Sequence, residues 1–450
     1  MEVESKMKEL DLCTKGVRLA EKLGASQAEA VALVGRSVNL SIERSSIKGI
    51  DEGSFSSFGV RVYIGKSVGI STVTPLEESK VEIAIKKAIE LARSSPPDEN
   101  FVSLPEDKEF KEVPGLYDRA IEDLTSEELV NNIRKGINAL KGVDETLDAA
   151  GGAELFVTER FIANSLGVER SQKASGLSFG IEALKKGSNG DIGTGFDYFF
   201  TRTTKELKFE EVGVNAANKA IKNVGGRKVK SGTYTLVLDE RATLGTIGSI
   251  VGYGANAFYV LQKASYYVNK LGTKVASEQL NVLDDPLYPY GWSSTPFDSE
   301  GYPSSKVKLI EKGILMNYIT DSYTANALKI ENNGHAGRGG LADKPRPRLT
   351  NLQIAPGEYE EDELFKDIKQ GIYIYDSSLS PVEGSSNISS LVDYGFLIED
   401  GEIKYPVKNT MVGSTVFELL QSIDAVGKRT KNEAGRIAPK IRIRNVKVSG

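Results

Sequence analysis

One imidazole and one thiol set the limits of what this chain can catalyse. Its 450 residues include a single histidine, His335, and a single cysteine, Cys13. One cysteine excludes an internal disulfide and any cysteine-cluster zinc or iron–sulfur site. One histidine excludes every site that needs two imidazoles, the helical zinc-protease constellation and the facial iron triad among them. His335 sits in Gly334-His335-Ala336-Gly337-Arg338-Gly339-Gly340. The glycines permit positive φ or close backbone approach, and Arg338 has the planar fork that holds a carboxylate or phosphate. The same loop also reads as a tight structural turn whose histidine satisfies a neighbour. It lacks the spacing and strand–helix context of a dinucleotide fingerprint, and no Gly-x-x-x-x-Gly-Lys-Ser/Thr loop occurs. A Ser-His-Asp mechanism would have to use His335 as its base. The nucleophile-elbow match Gly176-Leu177-Ser178-Phe179-Gly180 lies in strand-like sequence with no helix pattern after it, so it reads as a chance match. Carboxylate metal sites survive the histidine count. Asp284-Asp285 before Pro286 is a candidate pair, although adjacent acids before a proline read better as a solvated turn.

Charge narrows the partners. Lysine and arginine number 57 against 62 acids, a formal net charge of −5. A grip on nucleic acid through bulk charge is therefore not expected. The segment 428–447 holds eight basic residues against one acid, Glu433, but Arg442, Arg444 and Lys447 sit in an apolar alternation that reads as a solvated strand face. Met1 to Glu21 is charged and has no apolar core of a secretory signal. The longest uncharged run, Ala242 to Gln262, is glycine-rich and reads as a buried helix rather than a membrane span. A cytoplasmic protein is expected.

The elements that must position these residues follow from periodicity. Met7, Leu10, Val17, Ala20 and Leu23 share one helix face, closed by Gly24. Short strands are expected at Ala30–Val34 and Val38–Ile42, and a hairpin turns at Gly65-Lys66. A helix repeats at Val81, Ile85, Ala88 and Ala92, before an exposed, proline-containing connection over 94–115. Thr125-Ser126-Glu127-Glu128 is a capping-box start. Strands recur between Ala153 and Phe200, and a helix covers Leu207–Val224. The glycine-rich 225–232 segment marks a linker, dividing an N-terminal domain (1–224) from a C-terminal one (233–450). In the second, Tyr234–Leu238 runs into the glycine-rich helix. Val307–Leu315 and Phe396–Ile403 read as hairpins using one turn type, Glu361–Lys369 and Val416–Val426 as helices, and Ile441–Val448 as a half-exposed strand. Mixed elements with many hairpins argue α+β.

Several blocks, in order along nearly the whole chain, resemble the TldD/PmbA family, whose older label is modulator of DNA gyrase. They are the SFGVRVYIGKSVGISTV block from Ser57, the Leu238-Asp239 strand end before the Gly-rich helix, NNGHAGRGG from Asn332, LTNLQIAPGE from Leu349, GIYI from Gly371, FLIEDGEIKYPV from Phe396 and the terminal NVKVSG. The resemblance implies a two-domain architecture, an N-terminal α/β domain with antiparallel strands and a β-rich C-terminal domain. TldD-type chains of the family bind zinc as metallopeptidases through His-Glu-x-x-x-His on the glycine-rich helix and a cysteine near the C-terminus. Placed on this sequence, the histidine positions are Gly248 and Tyr253, the glutamate position is Ser249, and the cysteine position falls near Ala434. Every ligand is replaced, and one histidine cannot compensate.

That pattern resembles the TldE (PmbA-type) branch. It implies a noncatalytic subunit that pairs with a zinc-bearing TldD-type partner as a heterodimer, in proteolysis of unfolded or small peptides. No catalytic residue, metal or cofactor is then expected on this chain, zinc is expected in the partner, and a homodimer is a further state. His335 and Arg338 are the residues chosen to face a peptide cleft or the partner. Two alternatives stay open: an independent hydrolase using carboxylates or the His335–Arg338 loop, and a non-enzymatic homodimeric adaptor.

Overall fold

The computed structural model describes residues 2–450, with side chains from residue 8 onward, so Met7's place on the first helix face lies outside the described residues. Helix α1 (Glu2–Lys22) leads into strands β1 (Gln27–Glu43), β2 (Ser46–Ile64) and β3 (Ser67–Val73), then α2 (Glu78–Ser94). After a connection and a short helix α3 (Arg119–Glu122), the pattern repeats: α4 (Ser126–Val143), β4 (Asp148–Asn164), β5 (Glu169–Lys186), β6 (Ile192–Thr201) and α5 (Phe209–Lys222). The six strands form one antiparallel sheet in the order β3-β2-β1-β4-β5-β6, so the two helix–three-strand–helix units meet along β1 and β4.

Alternation along these strands decides what each face meets. Even-numbered β1 residues from Ala28 to Ile42 and odd-numbered β4 residues such as Leu155 and Phe161 bury against the helices. The opposite face carries Glu29, Val31, Arg61 and Ile162, and these are buried too, because the second domain covers them. The two short strands expected at Ala30–Val34 and Val38–Ile42 are one continuous β1. Gly35 bridges them: a Cβ there would sit 2.2 Å from the Val157 carbonyl oxygen, so only glycine lets β4 run alongside without a break.

Thr125 and Glu128 form the expected reciprocal cap at the start of α4. The connection over 94–115 has no helix or strand, but it is not simply exposed. Phe101 stacks on Tyr63 with centroids 3.5 Å apart, Leu104 buries beside it, and the Pro114 carbonyl accepts from Tyr290 N–H of the second domain. The prolines remove backbone donors, and the side chains strap the segment down.

The second domain opens with β7 (Gly232–Leu238) and α6 (Glu240–Gly254). Its mixed sheet of twelve strands also contains β8 (Val282–Asp284), β9 (Val307–Glu311) and β10 (Ile314–Leu315). Both sequence-predicted hairpins form with the same turn: Lys312–Gly313 and Asp400–Gly401 each take two successive positive φ values. Three expectations change. Glu361–Lys369 is only a 3₁₀ turn at Asp362–Leu364, because Arg442 Nη1 takes the Glu363 and Leu364 carbonyls at 3.0 and 3.4 Å, which a helix would need. The Val416–Val426 helix stops at Gln421, and Ile423–Glu433 becomes a strand paired to Arg436–Ser449. That last strand is central: the expected alternation holds over 444–448, where Asn445 and Lys447 stay exposed, but 441–443 are buried on both faces. It pairs with β7, 352–354, 411–415 and 423–433, and Arg442 is buried on Asp424 instead of facing solvent. The 21-residue uncharged run breaks at Asn256 into α6 and a five-residue helix, and no helix among the described residues is long and apolar enough to cross a membrane.

Where the two domains meet, Arg61 Nη2 bonds Glu29 Oε2 and Glu300 Oε1, each at 2.9 Å, with all three side chains nearly sealed from solvent. Removing one partner of such a group strands a buried charge, which costs about 3–5 kcal/mol. Arg61→Ala is therefore expected to lower the unfolding free energy by about that much in a denaturant titration. A loss of under about 1 kcal/mol, the range of an exposed pair, would show that the network does not hold the domains together.

Candidate functional site

The glycine loop that carries His335 is an interdomain clasp. Arg338 reaches from it to Glu29 of β1, and Leu341 packs against Gly59 of β2. Burial pushes the Glu29 carboxyl up, but Arg338 and Arg61 outweigh it and hold that group below its usual range. Beside them Asp298 is pushed well up by burial and by the Glu300 charge, while its oxygens accept the backbone N–H groups of Glu300, Tyr302 and Ala336.

His335 does not face a cleft. Its ring is enclosed, with Nε2 3.1 Å from Asp284 Oδ2 and Nδ1 3.0 Å from the Asn333 carbonyl oxygen. Both nitrogens lie against protein oxygens, and neither is left to take a proton from a substrate. The neighbour-satisfying reading of this loop is the one the geometry shows. Arg338 lines a shallow surface pocket, but its guanidinium is committed to Glu29 and its side chain is only 9% exposed. Asp284 is likewise not part of a solvated turn. It is the last residue of β8, fully buried, and it accepts from the Thr350 N–H at 2.8 Å as well as facing His335. The alternation Val282-Leu283-Asp284 hinted at this inward placement, whereas the proline after it pointed the other way.

The glycine-rich helix α6 has one buried face and one half-buried stripe made of Leu244, Gly245, Gly248, Ser249, Gly252 and Tyr253. The chain from Leu349 to Leu352 runs along this stripe: a Cβ at Gly252 would lie 3.2 Å from Leu349, and one at Gly248 3.5 Å from Leu352. On its other side Asn351 touches the turn Ala434-Gly435, and Gln353 Nε2 donates to the Gly435 carbonyl. The segment 349–354, which ends in the strand Leu352–Ile354, therefore separates α6 from the C-terminal turn. The Ser249 hydroxyl donates to the Thr246 carbonyl at 2.9 Å. Tyr253 donates to the Ala264 carbonyl at 3.2 Å and stacks on Tyr259 with centroids 4.3 Å apart. Ala434, at φ 50°, offers only a methyl group.

Two cavities flank this arrangement, each walled by both domains. One, of about 700 Å³, opens at the start of α6 and is lined by Asp197, Lys219, Arg241 and a row of tyrosines. There Arg241 bonds Asp197 of β6, Glu433 and the Tyr198 carbonyl oxygen, tying α6 to the first domain. The second, of about 820 Å³, lies by Ala434 and is lined by Arg202, Tyr288 and Tyr290.

Three family models match this chain in sequence order. They are described as PmbA/TldA metallopeptidase domain 1 over residues 28–94, the central domain over 119–224, and the C-terminal domain over 231–450. The chain belongs to the PmbA/TldD family. A metalloprotease of Methanothermobacter thermautotrophicus is 32% identical over 254 residues, which are 54% of this chain and 56% of that protein. The metalloprotease PmbA homolog of Haemophilus influenzae is 24% identical over 96% of this chain and 94% of its own. Among solved structures, TldE from Thermococcus kodakarensis superposes with a TM-score of 0.88 at 24% identity, covering 98% of this chain and all of that one. At that identity the superposition speaks for the fold.

The side chains at the four positions carried over from the family's zinc motif do not fit the metal. A glycine, a serine and a tyrosine whose hydroxyls donate to backbone carbonyls, and an alanine supply no imidazole, carboxylate or thiolate. Among the described residues, no three His, Cys, Asp or Glu side chains are grouped to hold a metal ion. What the sequence did not expose is the set around the clasp. Glu29, Arg61 and the loop pair Asp298 and Glu300 come from three places in the chain, and an acid or arginine in an alternating strand such as β1 or β2 reads as solvent-facing until a second domain is known to cover it.

Glu240, the first residue of α6, has its carboxyl pushed up to about 7 by burial, then by a hydrogen bond with Asp239 and its charge. A raised folded-state value means that the native protein binds a proton the unfolded chain has released. This contribution to stability is full below the unfolded value near 4.5 and is lost as pH rises through about 7. Glu240→Gln is expected to flatten the fall in unfolding free energy between pH 5 and pH 8 by about one proton's worth of slope. An unchanged slope in the variant would mean that this carboxyl titrates normally.

Proposed function

We propose that this chain is a noncatalytic, TldE-like subunit that joins a zinc-bearing TldD-type subunit as a heterodimeric metallopeptidase of the cytoplasm, acting on unfolded or small peptides. The observation that carries the reading is the half-exposed stripe of α6, which keeps the family's helix while its side chains, and that of Ala434, present no metal donor. In this scheme zinc supplies the Lewis acid and the attacking water in the partner. This chain contributes chamber wall and interface. The histidine form of the independent-hydrolase alternative loses its base, since both nitrogens of His335 are already occupied; its carboxylate form is left to the activity test on the chain alone.

The direct test is gentle purification of the tagged full-length chain from its own host, followed by mass spectrometry. A stoichiometric companion carrying His-Glu-x-x-x-His is expected. The purified chain alone should hold no stoichiometric zinc and cleave no peptide, and chelator-sensitive cleavage should appear on mixing with the companion. Robust cleavage by the chain alone would end the reading, and a lone homodimer would favour an adaptor. Within the reconstituted pair, Ser249→Ala and Tyr253→Phe are expected to keep peptide turnover within about twofold. A drop of about 10²-fold or more, the effect of losing a general acid or base, would make this chain catalytic.

A further inference from the structure

Arg202 is a buried cation with no anion. It lies just past β6 with 7% of its surface exposed, donating from Nη1 to the Ser175 carbonyl at 2.7 Å and from Nη2 to the Trp292 carbonyl. Its Nε is buried without a partner, and among the described residues it forms no ion pair. Three arginines as well sealed from solvent are paired with acids, whereas Arg160, half-buried, also lacks an ion pair among the described residues and spends its guanidinium on Gln172, Thr295 and the Phe297 carbonyl. Arg61 has Glu29 and Glu300, Arg241 has Asp197 and Glu433, and Arg442 has Asp424 and Asp367. Burial lowers the Arg202 pKa to about 10, with no opposing contribution from a neighbouring carboxylate. The faces of Phe156 and Trp292, 5.5 and 5.3 Å from the guanidinium carbon, lend it some support. Two carbonyls and two rings do not neutralise a full charge taken out of water, which is why buried charges ordinarily carry a counter-ion.

Arg202 lines the 820 Å³ cavity between the domains. The cavity also has the hydroxyls of Thr201 and Thr203, the rings of Tyr288 and Tyr290, and the methyl group of Ala434. The nearest acid in the wall, Asp118, already accepts the N–H groups of Ala120 and Thr204 at 2.9 and 3.1 Å. Lys205, Glu206 and Lys208 also line it, so the charges in this part of the wall are mixed. The inner end of the cavity thus offers a planar, two-armed cation, and its walls offer aromatic surface.

We propose that this cavity receives the C-terminal carboxylate of a peptide, paired to Arg202, with the peptide's terminal side chain against Tyr288 and Tyr290. The proposal rests on the peptide-chamber reading above and gives its substrate a direction. A carboxylate completes the missing ion pair with the geometry that a guanidinium fork matches. The cavity's volume suits one or two residues rather than a folded domain. The carboxylate end then anchors beside the C-terminal turn, and the rest of the chain leads out past Tyr290 at the cavity's exposed side.

The test compares acetyl-Gly-Gly-Phe as the free acid and as the C-terminal amide, titrated calorimetrically into the full-length chain. The acid is expected to bind at least about tenfold more tightly. Arg202→Met should erase the difference, and Arg202→Lys should retain part of it. Four results would overturn the proposal: no binding of either peptide, equal binding, a preference that survives Arg202→Met, or inorganic phosphate displacing the acid peptide with higher affinity. The acid-to-amide ratio in the unmodified protein needs no variant to fold. Because it is measured without the second subunit, it also separates the two readings. A zinc-bearing companion with no acid preference would sink the carboxylate site alone, whereas acid preference without a companion would leave the site and remove the peptidase role.

Discussion

The contact on which the molecule depends is the buried chain of charges Arg338–Glu29–Arg61–Glu300. It links the glycine loop of the second domain to the outward face of the first domain's sheet, and alternation of sign along it makes the burial tolerable. Apolar side chains would have filled the same volume without fixing the rotation of one domain on the other. Directional pairs fix it, and every cavity between the domains inherits that geometry. The same network explains why a sheet with helices on one side has acids and arginines buried on the other.

Once the domains are fixed, α6 is held from both ends. Asp239 takes the Tyr373 hydroxyl, and Arg241 reaches across to β6, so the helix start belongs to the interface. At its far end the Gly254 carbonyl accepts from Ser265, and Tyr266 donates to the Ile250 carbonyl. None of these contacts involves Gly248, Ser249 or Tyr253. On the half-exposed stripe itself, Tyr253 adds a hydrogen bond to the Ala264 carbonyl and stacks on Tyr259, so the helix is held at both ends and along its side by groups that are not metal donors.

Much of this was legible in the sequence. The capping box at Thr125, the two Lys/Asp-Gly hairpins, the run of β7 into α6 and the α+β class all rest on local rules, and local rules are what a sequence carries plainly. The failures have a common cause. The helix read at Glu361–Lys369 lost its carbonyls to Arg442, which is 73 or more residues away in sequence. Ile423–Val426 left its helical pattern for a partner strand, and Arg442 itself was read as solvent-facing when it is buried in a central strand. His335 and Arg338 were selected correctly as unusual residues, but their unusual feature is structural. What identified them, glycines on both sides, is as much a signature of a tight interdomain clasp as of a ligand loop.

The contrast between Arg338 and Arg202 shows how burial and chemistry are to be told apart. Each is an arginine sealed between the domains, and the sequence points to Arg338, through its glycine loop, rather than to Arg202. Arg338 meets a carboxylate belonging to the protein, so its charge is accounted for in holding the two domains together. Arg202 meets carbonyls and aromatic faces but no carboxylate, and it does so beside open volume instead of packed core. A fold that pairs Arg61, Arg241 and Arg442 with acids, yet leaves this one at the wall of a cavity, has placed an unsatisfied charge where a ligand can reach it.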